Sequence, residues 1–175
     1  MTQRVTGARR EGNVTSPTHR RNPWVVLVVF FALVAVVAVV GSLAATAAPE
    51  TYSRLVLPGW APPASVFGPV WTLLYVLLAF AGWVYWRTDG ETQGFAMYGV
   101  SLLFNLLWTA LFFAGGSTRL AVVAIVLLDF TVLMTIGLFY RRSRPAAVLL
   151  LPYFFWIAYA TALNVAIIAL NEGLR

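Results

Sequence analysis

The sequence predicts an all-α protein: an integral membrane bundle of five transmembrane helices over residues 23–175, behind a disordered basic tail at residues 1–22. Three observations carry this reading. Of the 175 residues, 61% are hydrophobic and only 10% are charged, whereas a water-soluble domain carries about a quarter charged residues. The apolar residues fall in long continuous runs, each near the length that crosses a hydrocarbon core of ~30 Å at ~1.5 Å per residue. The charges fall between those runs, and all twelve basic residues are arginines. The runs do not alternate as β-barrel strands do, and no period of ~20–50 residues repeats, which excludes the large inverted-repeat transporters.

Each element has its own justification. Residues 1–22 (MTQRVTGARREGNVTSPTHRRN) are rich in Gly, Ser, Thr and Arg and lack a hydrophobic period, so the tail cannot bury enough to fold. The first span runs from Trp24 to Ala48. Its end, Ala45-Thr46-Ala47, imitates a signal-peptidase site, but the apolar run exceeds the ~7–15 residues of a secretory signal. The helix is read as retained. Pro49 to Ser65 (PETYSRLVLPGWAPPAS) is an aromatic connection, and Pro62 and Pro63 suit the first turn of a helix, where a missing N–H costs nothing. The second span, Val66 to Trp86, is closed by Arg87-Thr88-Asp89-Gly90. The third, Phe95 to Ala114, ends at Gly115-Gly116. The fourth runs from Arg119 to Tyr140, and Arg141, Arg142 and Arg144 mark its end. Pro145 opens the fifth, which continues to about Leu170. Pro152 lies inside it and withholds a donor from the Val148 carbonyl, which predicts a kink.

Arginine placement predicts orientation. One side would hold Arg4, Arg9, Arg10, Arg20, Arg21, Arg87, Arg141, Arg142 and Arg144; the other holds Arg54, Arg119 and Arg175. Positive residues stay cytoplasmic, so the N-terminus is expected in the cytoplasm and the C-terminus outside, in the cell membrane. The same distribution argues against a nucleic-acid partner, despite a net charge of +6. With no cysteine there is no disulfide framework or thiolate metal site. The single histidine, His19, lies in the tail, so no metal site is expected in the membrane and no cofactor is required.

Seven Trp, seven Tyr and twelve Phe exceed what two interfacial belts need. Trp24, Trp83, Tyr85, Trp86 and Tyr140 lie at span ends and suit a belt. Trp71, Trp108 and Trp156 lie inside their spans. Phe67, Trp71 and Leu74/Tyr75 share one helical face, as do Asn105, Thr109 and Phe112, and Trp156, Ala160 and Asn164. A flat ring beside a small residue and an amide is what a planar, mostly apolar ligand with a few polar edges needs. Packed core aromatics are the simpler alternative for each. Asp129 is the only carboxylate deep in a span; it is either a functional group facing the bundle interior or a structural hydrogen-bonding partner. Asn105 and Asn164 could equally join helices.

Several motifs, in order, resemble one family. Leu57 to Tyr75 (LPGWAPPASVFGPVWTLLY) resembles the translocator-protein (tryptophan-rich sensory protein) pattern W-x-P-P-x-x-x-F-x-x-x-W-x-x-L-Y. Asn105-Leu106-Leu107-Trp108 with Phe112-Phe113 is similar to its N-x-x-W-x-x-x-F-F, and Asp129 sits where the family has an aspartate. The stretch from Arg144, RPAAVLLLPYFFWIAYATALN, resembles P-Y-x-x-W-x-x-x-A-T-x-L-N. The resemblance covers the chain from about Trp24. It implies a five-helix fold, often a homodimer, with a pocket closed by the connection between the first two helices. Carried over by motif, Trp71 and Trp156 would be facing walls, Tyr52 and Trp60 the lid, and Asn105 and Trp108 the third-helix wall. Ala160 and Asn164 would complete it from the fifth helix, with Phe67 and Asp129 as further candidates. The aromatic-and-arginine sterol motif of animal members is replaced by Val165-Ala166-Ile167-Ile168-Ala169-Leu170-Asn171, which argues against tight sterol binding and suggests a bacterial member.

The resemblance implies binding of porphyrins, other tetrapyrroles or similar planar apolar ligands, as sensor or transporter. Without His or Cys in a span, contact would be by stacking and polar edges, with Arg54 a candidate for a propionate. Light-dependent porphyrin degradation, with Trp71 and Trp156 as electron donors, is a second expectation. Conventional catalysis has no constellation here. A scaffold role is a third.

Overall fold

A computed structural model of the chain describes residues 22–46, 48–114 and 117–171; the expected tail, Ala47, the Gly115-Gly116 stop and Arg175 lie outside the described residues, as do the side chains of residues 48, 49 and 51. Among the described residues six α-helices follow in order: α1 Pro23–Ala44, α2 Ala48–Ser53, α3 Phe67–Arg87, α4 Thr92–Thr109, α5 Thr118–Arg142 and α6 Arg144–Asn171. All but α2 are long and apolar enough to cross a membrane, and the chain is a multi-pass membrane protein of bundled helices.

Local chemistry sets the helix ends. Asn22 caps α1 by accepting from the Trp24 N–H at 3.0 Å, with Pro23 in the first turn. A 3-10 turn, Ala64–Val66, leads into α3. The α3–α4 turn closes with Asp89 at φ 51°, in the left-handed region that a short polar side chain tolerates, while the Gly90 N–H returns to the Tyr85 carbonyl at 3.1 Å. Ser143 alone separates α5 from α6: its N–H bonds the Phe139 carbonyl at 2.7 Å, and its hydroxyl accepts the Ala146 N–H at 3.4 Å.

Four features depart from the sequence reading. The first span ends at Ala44, short of the expected Ala48, which belongs to α2. The connection after α1 contains the short helix α2. The third span starts at Thr92 instead of Phe95, since Thr92-Gln93-Gly94 adds a polar first turn that hydropathy alone does not register. The end of that span, Ala110–Ala114, widens into a π-turn, a departure that recurs at functional sites. Pro152 lies within α6, which remains helical from Arg144 to Asn171.

α3, α4 and α5 meet through aromatic rings at the end that carries the α3–α4 turn. The Tyr85 ring stacks on Phe139 at 3.8 Å and 6°, and its hydroxyl accepts the Glu91 N–H at 3.0 Å. Glu91 in turn receives Arg142 Nε at 2.8 Å. α1 joins this end through Trp83 Nε1, which donates to the Pro23 carbonyl at 2.9 Å. Otherwise α1 is mostly lipid-facing, burying only Val26, Val34, Val37 and Gly41. Arg87 lies over Trp83 and Arg144 over Tyr140 at 5.0 and 5.4 Å, as basic and aromatic groups pair at a membrane interface.

Candidate functional site

At the opposite end, a cavity of about 520 Å³ opens between α1, α3 and α4, beneath the α1–α3 connection. Its size falls within the usual ~300–1,000 Å³ of small-molecule sites. The α1 wall is built from small residues, Ala38, Gly41, Ser42 and Ala45, which leave room for an occupant. Phe67, Trp71, Thr72 and Tyr75 come from α3, at the spacing that puts them on one face. Trp108 and Thr109 come from α4, and Phe113 from the π-turn. Tyr52 is the contribution of α2.

The wall is an aromatic assembly held by buried hydrogen bonds. The Trp71 ring lies 6.0 Å from Trp108, 5.4 Å from Tyr75 and 6.2 Å from Tyr153. Behind Trp71, the Tyr75 hydroxyl donates to Asn105 Oδ1 at 3.0 Å, and Asn105 Nδ2 donates to the Tyr153 hydroxyl oxygen, also at 3.0 Å. Asn105 is fully buried. The wall hydroxyls all have protein acceptors: Thr72 on the Gly68 carbonyl, Thr109 on the Asn105 carbonyl and Ser42 on the Val39 carbonyl. Trp108 Nε1 is different. It is buried and has no hydrogen-bond partner among the described residues, a donor left uncompensated inside the bundle.

The connection overhead is folded on itself and tied down. The Tyr52 hydroxyl donates to the Pro62 carbonyl at 2.9 Å, and its ring lies edge-on to Phe67 at 5.5 Å. Burial first, then the Tyr159 hydroxyl, push the Tyr52 phenol above its usual pKa, so it stays neutral. The Tyr159 hydroxyl donates to the Trp60 carbonyl at 3.0 Å, and the two rings meet edge-on at 5.5 Å. Trp60 itself remains exposed, and Arg54 is paired with Glu50 on the exposed surface of α2.

The residues singled out from the sequence therefore divide. Tyr52, Phe67, Trp71 and Trp108 line the cavity, and Asn105 braces it from behind. Trp156 stands one ring away, edge-on to Phe67 at 6.0 Å, with its Nε1 buried and without a partner among the described residues. Ala160 is buried on α6 outside the lining. Asp129 and Asn164 are engaged between helices: Asp129 Oδ2 accepts from the Thr161 hydroxyl at 2.6 Å, and Asn164 Nδ2 lies 3.5 Å from the Thr118 carbonyl. In the sequence the small residues Ala38 and Ser42, one turn apart, read as a face for close helix packing or a dimer; the structure places both on the cavity wall. No group of three or more metal-ligating side chains occurs among the described residues.

Comparisons with known proteins agree with the motif order. The model of the TspO/MBR family matches residues 26–170. The chain is 38% identical over 124 residues to a tryptophan-rich protein TspO of Chlorobaculum tepidum, covering 69% of this chain and 78% of that protein. It is 33% identical over 148 residues to a tryptophan-rich sensory protein of Cereibacter sphaeroides, covering 85% and 92%. With the human translocator protein it shares 32% identity over 129 residues, 71% of this chain and 76% of that one.

Proposed function

The chain belongs to the TspO/MBR family, and from that premise we propose that it binds porphyrins or related tetrapyrroles within the membrane, as a sensor or transporter. The observation that carries this reading is the cavity faced by Trp71, Trp108, Phe67 and Tyr52. Flat rings gain from stacking on such walls, ~0.5–1.5 kcal/mol per aromatic pair beyond burial. The names of relatives, a sensory protein and a translocator, support the broader role. Tail and Arg141–Arg144 in the cytoplasm, and a homodimer in the bilayer, belong to the same proposal.

A second reading, light-dependent porphyrin degradation, is favoured by the 6.0 Å separation of Trp71 and Trp108. An excited porphyrin against Trp71 could take an electron from it, with Trp108 near enough to share the resulting charge and oxygen as terminal oxidant. The test is a titration of protoporphyrin IX into detergent-purified protein, read by tryptophan-fluorescence quenching in darkness and followed by illumination. Saturable binding is expected; quenching that never saturates would sink the reading. Loss of porphyrin absorbance faster than in buffer under the same light would favour degradation over passive binding.

A further inference from the structure

The α1–α3 connection is fastened to the far end of α6 by one side chain. Asn171, the last residue of α6, accepts the Val56 N–H through Oδ1 at 3.0 Å and donates Nδ2 to the Val56 carbonyl at 3.0 Å. The same nitrogen donates to the Ile167 carbonyl at 2.7 Å. An amide has two N–H groups and one carbonyl, so Asn171 engages both of its ends here. It pairs with Val56 as a neighbouring strand would, holding N–H and C=O together.

Leu55 and Leu57 pack partly buried against the core, but Val56 between them is 44% exposed. Its own backbone groups are held by the Asn171 hydrogen bonds. Their effect reaches the cavity through the chain itself. Tyr52 lies four residues before Val56, and its hydroxyl bond to Pro62 closes the segment between them into a loop. Placing Val56 therefore places Tyr52 over Phe67 at the cavity mouth. Tyr159 adds a second tie at Trp60, also from α6.

We propose that Asn171 is a positioning residue that latches the connection over the cavity and sets how fast a ligand enters and leaves. The ligand half of this statement rests on the tetrapyrrole reading; the latch can be measured without a ligand. The experiment uses the full chain in nanodiscs, comparing wild type with Asn171→Ala, Asn171→Asp and Tyr159→Phe. Hydrogen exchange of peptides covering residues 53–60 should quicken by roughly ten- to a hundredfold in Asn171→Ala, as two hydrogen bonds are lost. Asn171→Asp keeps the acceptor for the Val56 N–H but turns a carboxylate oxygen toward the Val56 and Ile167 carbonyls, so it should restore only a small part of the protection. Tyr159→Phe should leave Val56 protected.

Stopped-flow mixing with protoporphyrin IX supplies the second readout. Asn171→Ala should raise association and dissociation rates together and change Kd little, because the walls are untouched. General loosening of the bundle would instead weaken binding without faster association. Unchanged exchange at residues 53–60 would overturn the latch. Faster exchange with unchanged porphyrin rates would overturn its gating role. If wild type binds no porphyrin, the tetrapyrrole reading falls, and exchange alone still decides whether Asn171 holds the connection.

Discussion

Asn105 uses both ends of its amide inside the bundle, on Tyr75 and Tyr153. Replacing it with Ala strands a buried hydroxyl donor on one side and a hydroxyl acceptor on the other. Interhelical hydrogen bonds in membranes average ~0.6 and reach ~1.7 kcal/mol, so Asn105→Ala should cost about 1–2 kcal/mol. Tyr75→Phe removes a donor but leaves Asn105 bonded to Tyr153, and should cost less; the midpoint of unfolding in dodecyl sulfate reads both. The two tryptophans should also separate. Trp71 lines the cavity and Trp156 stands behind Phe67. Trp71→Phe is expected to weaken porphyrin binding about two- to tenfold and to slow any photodegradation more, since indole is the easier electron donor. Trp156→Phe should do less to either, and equal losses in a fluorescence titration would contradict this geometry. The motif spacing made the rings legible as candidates. It could not tell which helix each ring faces, because that depends on how α1 and α6 lie against α3.

Among the elements, α4 packs by leaving atoms out. A Cβ at Gly94 would fall on the Tyr85 hydroxyl and ring, which are held by Phe139 and by the Glu91 N–H. Tyr85 has little freedom to yield, so Gly94→Ala should destabilise by about 1–3 kcal/mol through overpacking. Gly99, on the same helix, would place a Cβ in open space; Gly99→Ala should be neutral or stabilise by up to ~1 kcal/mol from helix propensity. Thermal unfolding in detergent distinguishes the pair, and a similar response from both would refute the close contact. Helix existence was legible along the whole chain, whereas α2 and the π-turn were not. A six-residue helix in a proline-rich connection has too few turns to show a period. A single π-turn inside an apolar run leaves no mark on hydrophobic periodicity.

For the whole molecule, the five spans could be read because lipid demands continuous apolar helices, every backbone group being satisfied within the segment. The same demand hides the interior. Faces toward lipid and faces toward neighbours are both apolar, so periodicity gives no direction and the α1/α3/α4 cavity emerges only in three dimensions. Orientation remains a matter of arginines. The α3 end, α5 end and α6 start bring Arg87, Arg141, Arg142 and Arg144 to one side, opposite Arg54 and Arg119. A reporter fused after the last residue should work only outside the cytoplasm; activity of a cytoplasm-dependent reporter there would reverse the assignment.

The stack of Tyr85 on Phe139, with the Glu91–Arg142 pair beside it, fills one end of the bundle, while the other end is hollow and roofed by the α1–α3 connection with its short helix α2. A bilayer of the wrong thickness strains the helices it surrounds by fractions of a kcal/mol per Å, and that strain collects where the bundle yields most easily. Acyl-chain length then becomes a variable of the site itself. Vesicles of graded thickness should shift porphyrin affinity progressively while the near-ultraviolet dichroism of the filled aromatic end stays constant, and a flat affinity across the series would show both ends to be equally compliant.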